Sequence, residues 1–525
     1  MSSMTPPATD HLAALRERRW RVLAVTGMGA FMGPLDVTVV ALALPAIGKE
    51  LGLSFSGGIW VQAGYLLAYA LVLVPAGRIA DQWGRLRVWR VGLGLFAVAS
   101  LMAAISPNDS WLLAWRAVQG SGGAMLAATS TALVTAVFPV EERGKAIGLN
   151  IMALYLGLAL GPLIGGLLVD NAGWRWIFLV NLPMAGLALA GSLGLSEGPP
   201  APGRPKLDPL GTLLLGGALA GIMIGVTFGP LWGWSSGRVV TLISVGTVLL
   251  AAFPLAESRV ESPLIDLAMF RRSRIFALGN LAALLNYTAM FGVIALTAVL
   301  LQVTGGLSPT RAGLVMLAQP VVMVALSPVA GRLSDRTGSR ALASGGMGLV
   351  AAGLAILALT PADLPIPWVM TGLAVTGLGM AAFSSPNTSA VMGSAERERL
   401  GVAAAILAMM RTLGQTLSLA VLGTLAAAPL GAAGARALFG DTAGVGDAAA
   451  YLDGYRLAMA VGAAIALVGA ALSLGRGPVQ RAGTPDASHA GRRHERPSAP
   501  RPSPHDGPAR SARCVGSGES ARARV

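Results

Sequence analysis

The chain has 525 residues, of which 54% are apolar and only 12% charged, and its mean hydropathy is +0.65. A water-soluble protein of this size cannot cover its surface with so little charge. About 284 apolar residues, at roughly 20 per membrane-spanning helix, leave room for about fourteen spans. The apolar runs are continuous and Gly/Ala/Leu-rich, which excludes an outer-membrane barrel with its alternating strands.

In chain order, a short basic segment over 10–21 (DHLAALRERRWR) leads in as an interfacial helix. The run that follows is too long for a cleaved signal and contains Asp36. Apolar segments are then predicted at about 20–44, 58–77, 86–105, 111–138, 144–169, 174–195, 208–230, 237–256, 275–301, 310–331, 340–359, 366–392, 398–425 and 454–474. From Gly475 onward Pro, Arg, Ser, Gly and Ala dominate, which predicts a disordered basic tail.

Charge sets the orientation. With the N-terminus inside, the inner segments carry 21 Lys and Arg before the tail and the outer segments carry six, the bias of a protein with both termini cytoplasmic. A missed span would reverse the sign of every later loop. The net charge of +14 lies in these loops and the tail, so it does not point to nucleic acid. The single cysteine, Cys514, and the four histidines, His11, His489, His494 and His505, lie near the termini. They cannot build a disulfide framework or a metal or haem site at bilayer depth, so no cofactor and no metal is expected.

An internal repeat divides the chain. GRIADQWGRLR begins at Gly77 and GRLSDRTGSR at Gly331, and each follows the second span of its set. The predicted organisation is an N-terminal segment (1–19), a six-helix half (20–195), an inserted pair with its linkers (196–274), a second six-helix half (275–474) and the tail (475–525). The fold class is therefore all-α and polytopic, with fourteen spans in two repeated halves, the architecture of major facilitator transporters.

One acid lies in the interior of a predicted span, Asp36 in GPLDVTVVALALP. A carboxylate at that depth must be protonated, face a wet cavity or pair with a cation. Burial and a nearby arginine act on it in opposite directions, so it is a candidate to load and release a proton. Arg116 in span four is its candidate partner, because both residues lie roughly 8 to 12 Å below the outer boundary at 1.5 Å per residue. Arg411 in span thirteen is the other buried cation. In the repeated loop, Gly77, Gly84, Gly331 and Gly338 allow tight turns and close approach, while Asp81 and Asp335 can pair with arginines such as Arg85. Such a cluster would latch one conformation. In span five, Gly148, Gly157, Gly161, Pro162, Gly165 and Gly166 form a kinked strip for close helix packing.

With these motifs in view, residues 15–475 resemble the fourteen-helix drug/proton antiporters of the major facilitator superfamily. LDVTVVALALP (35–45) is similar to that family's span-one motif, with Ala41 where Asn is usual. The loop from Gly77 to Arg87 matches with Gln82 and Leu86 in place of basic residues, and WRAVQG (115–120) resembles the span-four motif whose arginine is implicated in proton coupling. The span-five strip fits the motif associated with antiporters, and WRWIFLVNLP, PLIDLAMFR and PNTSAVMG resemble further family segments. The resemblance implies export of hydrophobic, often cationic compounds in exchange for protons.

The expected function is thus a proton-coupled exporter of amphiphilic small molecules in the cytoplasmic membrane, acting as a monomer among lipids. A dedicated exporter of one endogenous metabolite or lipid is the alternative. An enzyme is not expected, because nucleophiles and ligands are missing at depth. From helix position, Gln62, Tyr65, Asn286, Gln319, Met410 and Arg411 are candidate cavity residues. One buried acid against two buried arginines predicts that monovalent cations, neutral compounds or zwitterions are preferred over divalent cations.

Overall fold

Hydrocarbon offers no water to backbone amides, so a spanning chain must satisfy them within helices. The structure, a computed structural model, describes residues 16–197, 208–260, 263, 268–395, 400–431, 434, 438–439 and 445–476. The tail beyond Arg476 and residues 10–15 of the N-terminal basic segment lie outside the described residues. Among the described residues thirteen helices are long and apolar enough to cross a membrane, and Trp176–Ser192 is a shorter apolar stretch.

The first set is α1 (Arg19–Leu51), α2 (Phe55–Trp83), α3 (Arg85–Ala104), α4 (Asp109–Val137), α5 (Val140–Ala172), α6 (Trp176–Leu179) and α7 (Asn181–Ser192). Next come α8 (Pro209–Trp232), α9 (Gly237–Glu257) and the short α10 (Ala268–Arg272). The last set is α11 (Arg274–Val299), α12 (Pro309–Met316), α13 (Ala318–Thr337), α14 (Ser339–Ala358), α15 (Ile366–Gly393), α16 (Leu400–Ala427) and α17 (Val445–Leu474). Many helix starts are written in the sequence. Ser54, Asn108, Asp208, Ser236, Ser273 and Ser308 each accept a hydrogen bond from a backbone N–H in the first turn of the helix that follows.

Two predicted spans are broken. The sixth divides at Val180 into α6 and α7, and the tenth at Leu317 into α12 and α13. In each, a proline sits three residues beyond the break, Pro183 and Pro320, and cannot supply the N–H that would bond the carbonyl four residues back. The first and last spans run longer than their apolar cores, to Leu51 at one end and from Val445 at the other.

The packing has an internal likeness. α1 packs on α5, α3 on α4 and α2 on α4; in the last set α11 packs on α16, α14 on α15 and α13 on α15. Glycines set the α3–α4 and α14–α15 distances: a Cβ at Gly122 would lie 2.8 Å from the Gly92 carbonyl oxygen, and one at Gly379 would lie 2.7 Å from that of Gly346. α8 and α9 pack on each other, and α8 also touches α2 and α16.

Candidate functional site

Asp36 on α1 and Arg116 on α4 meet in the dry interior, 1% and 0% exposed. The Arg116 Nη1 donates to Asp36 Oδ2 at 2.5 Å and to Gln119 Oε1 at 2.5 Å, while its Nε donates to the Val61 carbonyl at 3.0 Å. The other carboxylate oxygen, Oδ1, accepts from the Gln119 amide at 2.8 Å and the Asn181 amide at 3.1 Å. Gln119 also donates to Ser100 Oγ at 2.9 Å. Four helices, α1, α3, α4 and α7, therefore supply one polar cluster. Removing one partner from such a buried pair strands the other charge, at a cost of about 3–5 kcal/mol.

The Tyr65 ring of α2 lies 4.5 Å from the Arg116 guanidinium carbon, and Phe178 lies 5.7 Å from it on another side. Span four makes room for this tyrosine. A methyl at Gly120 would collide with the Tyr65 carbonyl, and one at Gly123 would lie 2.7 Å from its hydroxyl. Gln62, next along α2, donates to the Val37 carbonyl at 2.8 Å and fixes α1 beside Asp36.

Beyond Tyr65 opens a cavity of about 270 Å³ lined by α1, α2, α4, α5, α11, α12, α13, α15 and α16, close to the lower bound of roughly 300 Å³ for small-molecule sites. Tyr65, Gln319 and Arg411 of the predicted cavity residues line it, and Gln62, Asn286 and Met410 do not. The reason is rotation. Successive helix residues differ by about 100°, so Tyr287 and Arg411 face the cavity and their neighbours Asn286 and Met410 are turned away. Asn286 is fully buried with neither amide atom hydrogen-bonded. Further lining comes from Tyr69, Tyr155, Asn150, Gln415 and several methionines.

Span five is built for close contact. A methyl at Gly157 would overlap the Phe31 carbonyl, one at Gly161 would overlap the Thr38 hydroxyl, and one at Gly165 would lie 3.0 Å from Val39 Cα, so α5 lies flush on α1. Gly166 belongs to a different junction, where its Cβ would lie 2.6 Å from the Pro309 carbonyl, and the Pro162 carbonyl presses on Gly313. There Asp170 Oδ2 accepts from the Thr310 N–H at 2.8 Å, Gln302 donates to the Leu42 carbonyl at 2.9 Å, and Phe55 meets Phe439 and Tyr451. These contacts close the end of the bundle that holds the α1–α2 and α5–α6 turns. Gly148 has nothing within 4 Å of its Cβ position.

At the other end Gly84, at φ +100°, turns α2 into α3, and Asp81 Oδ1 pairs with Arg85 Nη2 at 3.3 Å. Arg85 also donates to the Ala132 carbonyl at 3.2 Å, tying the loop to α4. The first turn of α3 is capped by Glu197, which accepts from the Leu86 N–H at 2.9 Å. Gly77 has open space at its Cβ position, so no close approach is made there in this conformation, and a Cβ at Gly331 would lie 3.7 Å from Ser385 Oγ. Gly338 repeats the turn at φ +87°; the Asp335 side chain lies outside the described residues.

Sequence reasoning missed Gln119, Ser100, Asn181, Tyr155 and Tyr287. A signal existed for two. Gln119 stands three residues after Arg116 on the same helix face, and Asn181 is a lone amide in an apolar run beside a proline.

Compared with known proteins, residues 26–418 match the Major Facilitator Superfamily, with a second match over 279–503. The chain is 34% identical to the multidrug resistance protein Stp of Mycobacterium tuberculosis, covering 78% of this chain and 76% of that one. It is 35% identical to a probable actinorhodin transporter of Streptomyces coelicolor (78% and 72% covered) and 31% identical to the tetracenomycin C resistance and export protein of Streptomyces glaucescens (81% and 80%). In fold it is similar to a bacterial homolog of the human lysosomal transporter Spinster, with a TM-score of 0.63 at 18% identity, covering 87% of this chain and 96% of that one.

Proposed function

This chain belongs to the major facilitator superfamily, and we propose that it exports amphiphilic small molecules from the cell in exchange for protons. It is a multi-pass membrane transporter of the drug-efflux type, with a small-molecule substrate and no enzymatic role. In the proposed arrangement residues 20–195 and 275–474 are the two halves, 196–274 inserts a helix pair, and both termini are cytoplasmic.

The observation that carries the coupling is the dry cluster behind Tyr65. Every polar partner of Asp36 is a donor: one arginine N–H and two amides. A proton on either oxygen removes the carboxylate charge that holds Arg116, takes up acceptor capacity and adds an O–H donor among groups that all donate, which favours a rearrangement of the cluster. Tyr65 touches Arg116 on one side and lines the cavity on the other, which gives the rearrangement a route to the substrate. The end closed by Gly166, Pro309, Asp170 and Thr310 would be the outer gate, and Asp81 with Arg85 the inner latch, each held in only one state of the cycle.

A narrower reading, export of one endogenous compound, draws support from relatives named for single antibiotics, actinorhodin and tetracenomycin C. The test of the broad reading is dye uptake into inverted vesicles energised with a proton gradient. Uptake that follows the gradient and stops with a protonophore supports it; uptake indifferent to the gradient contradicts it.

A further inference from the structure

We propose that the cavity selects aromatic compounds that carry a negative charge, with Arg411 as the residue that receives it. The inference rests on the export reading and names the substrate class of that same site. Among the described lining residues Arg411 is the one charged group. The acid that sequence reasoning would offer a cationic substrate, Asp36, is absent from the lining, 1% exposed, and has both oxygens engaged. Tyr65 stands between it and the cavity. A cation entering here therefore meets a guanidinium and no carboxylate.

Arg411 is built to receive a ligand. Its Nη2 donates to Thr388 Oγ1 at 2.5 Å, which holds the side chain in place. Its Nε is buried with no hydrogen-bond partner. A guanidinium has five N–H donors, so most of them remain available to an incoming anion. The Tyr287 ring, centred 5.9 Å from the guanidinium carbon, backs its face. Opposite polarity is scarce: the other polar lining groups are hydroxyls and amides such as Tyr155, Gln319 and Gln415. The flat rings of Tyr65, Tyr69, Tyr287 and Phe291, with Met290 and Met380, suit an aromatic body.

The probe pair is fluorescein, anionic at neutral pH, and rhodamine 123, a monocation on the same xanthene frame. Binding is measured by fluorescence anisotropy to the purified full-length protein in nanodiscs. Fluorescein should bind about tenfold more tightly than rhodamine 123, the scale of one charge-assisted hydrogen bond. Arg411→Gln should remove about that tenfold, Arg411→Lys should retain part of it, and Arg411→Glu should invert the order. Absence of saturable fluorescein binding, equal or tighter binding of rhodamine 123, or an order unchanged by Arg411→Glu overturns the proposal. If the variants fail to fold, the wild-type order decides alone. Transport indifferent to the proton gradient, with the binding order intact, would break the antiport reading and leave this one standing.

Discussion

Arg116 and Arg411 both sit inside transmembrane helices, yet their surroundings are opposite. Arg116 is sealed, paired with Asp36 and stacked against the inner side of Tyr65, and it does not itself line the cavity. Arg411 faces the cavity with one hydroxyl partner and donors to spare. In the proposed cycle the contrast separates two tasks, proton coupling and substrate contact. There the buried ion pair changes state when it gains a proton, although the Arg116 Nη2 has no hydrogen-bond partner, whereas the cation in the cavity wall offers contacts to whatever enters.

The sharpest way to break the comparison is to unbalance the sealed side. Arg116→Gln leaves Asp36 without its cation and should lower stability by about 3–5 kcal/mol, read as a drop in thermal midpoint in detergent. Adding Asp36→Asn should recover most of that loss while transport stays absent. If the double variant is no more stable than Arg116→Gln, the pair is not the unit described.

A smaller but still large effect is expected where α5 lies on α1. Gly161→Val drives a side chain into Thr38 and should cut dye efflux to about a tenth or less, since tightly packed interfaces transmit overpacking as strain. Gly148→Ala, in open space, should retain most of the activity. Equal losses in the two variants would contradict the packing account of span five.

Much of this was legible in the sequence, and for physical reasons. Apolar runs long enough to span are unambiguous when backbone bonding has no alternative to helix. Asp36 and Arg116 could be placed at one depth because helical rise is fixed. Their contact, and the amides of Gln119 and Asn181 that complete it, depend on how helices rotate and cross. Single polar residues do not encode that. The same limit misplaced Asn286 and Met410, each one residue from a position that faces the cavity. Counting buried acids could not tell that Asp36 is absent from the cavity lining, behind the Tyr65 that contacts its partner Arg116. The breaks at Val180 and Leu317 were foreseeable from Pro183 and Pro320, whose rings interrupt a helix at a known offset.

Modest effects belong to the loop. The Asp81–Arg85 pair is partly exposed and adds little to stability, so Asp81→Asn should slow turnover by about threefold with unchanged dye affinity. A fall in affinity at constant turnover would contradict the latch. The smallest effect is expected from the tail: deletion after Arg476 removes a segment whose composition cannot build a core and should leave efflux within about a factor of two of the full chain. Complete loss of transport at normal expression would reveal a function in it.

The central claim is that Asp36 carries the proton, and substrate-driven proton movement in proteoliposomes tests it most directly. With the wild-type chain, an imposed dye gradient should drive protons in the opposite direction, read by a pH-sensitive lumenal probe. With Asp36→Asn, dye-for-dye exchange should persist and proton movement should vanish. Proton movement of normal size in Asp36→Asn would contradict the account.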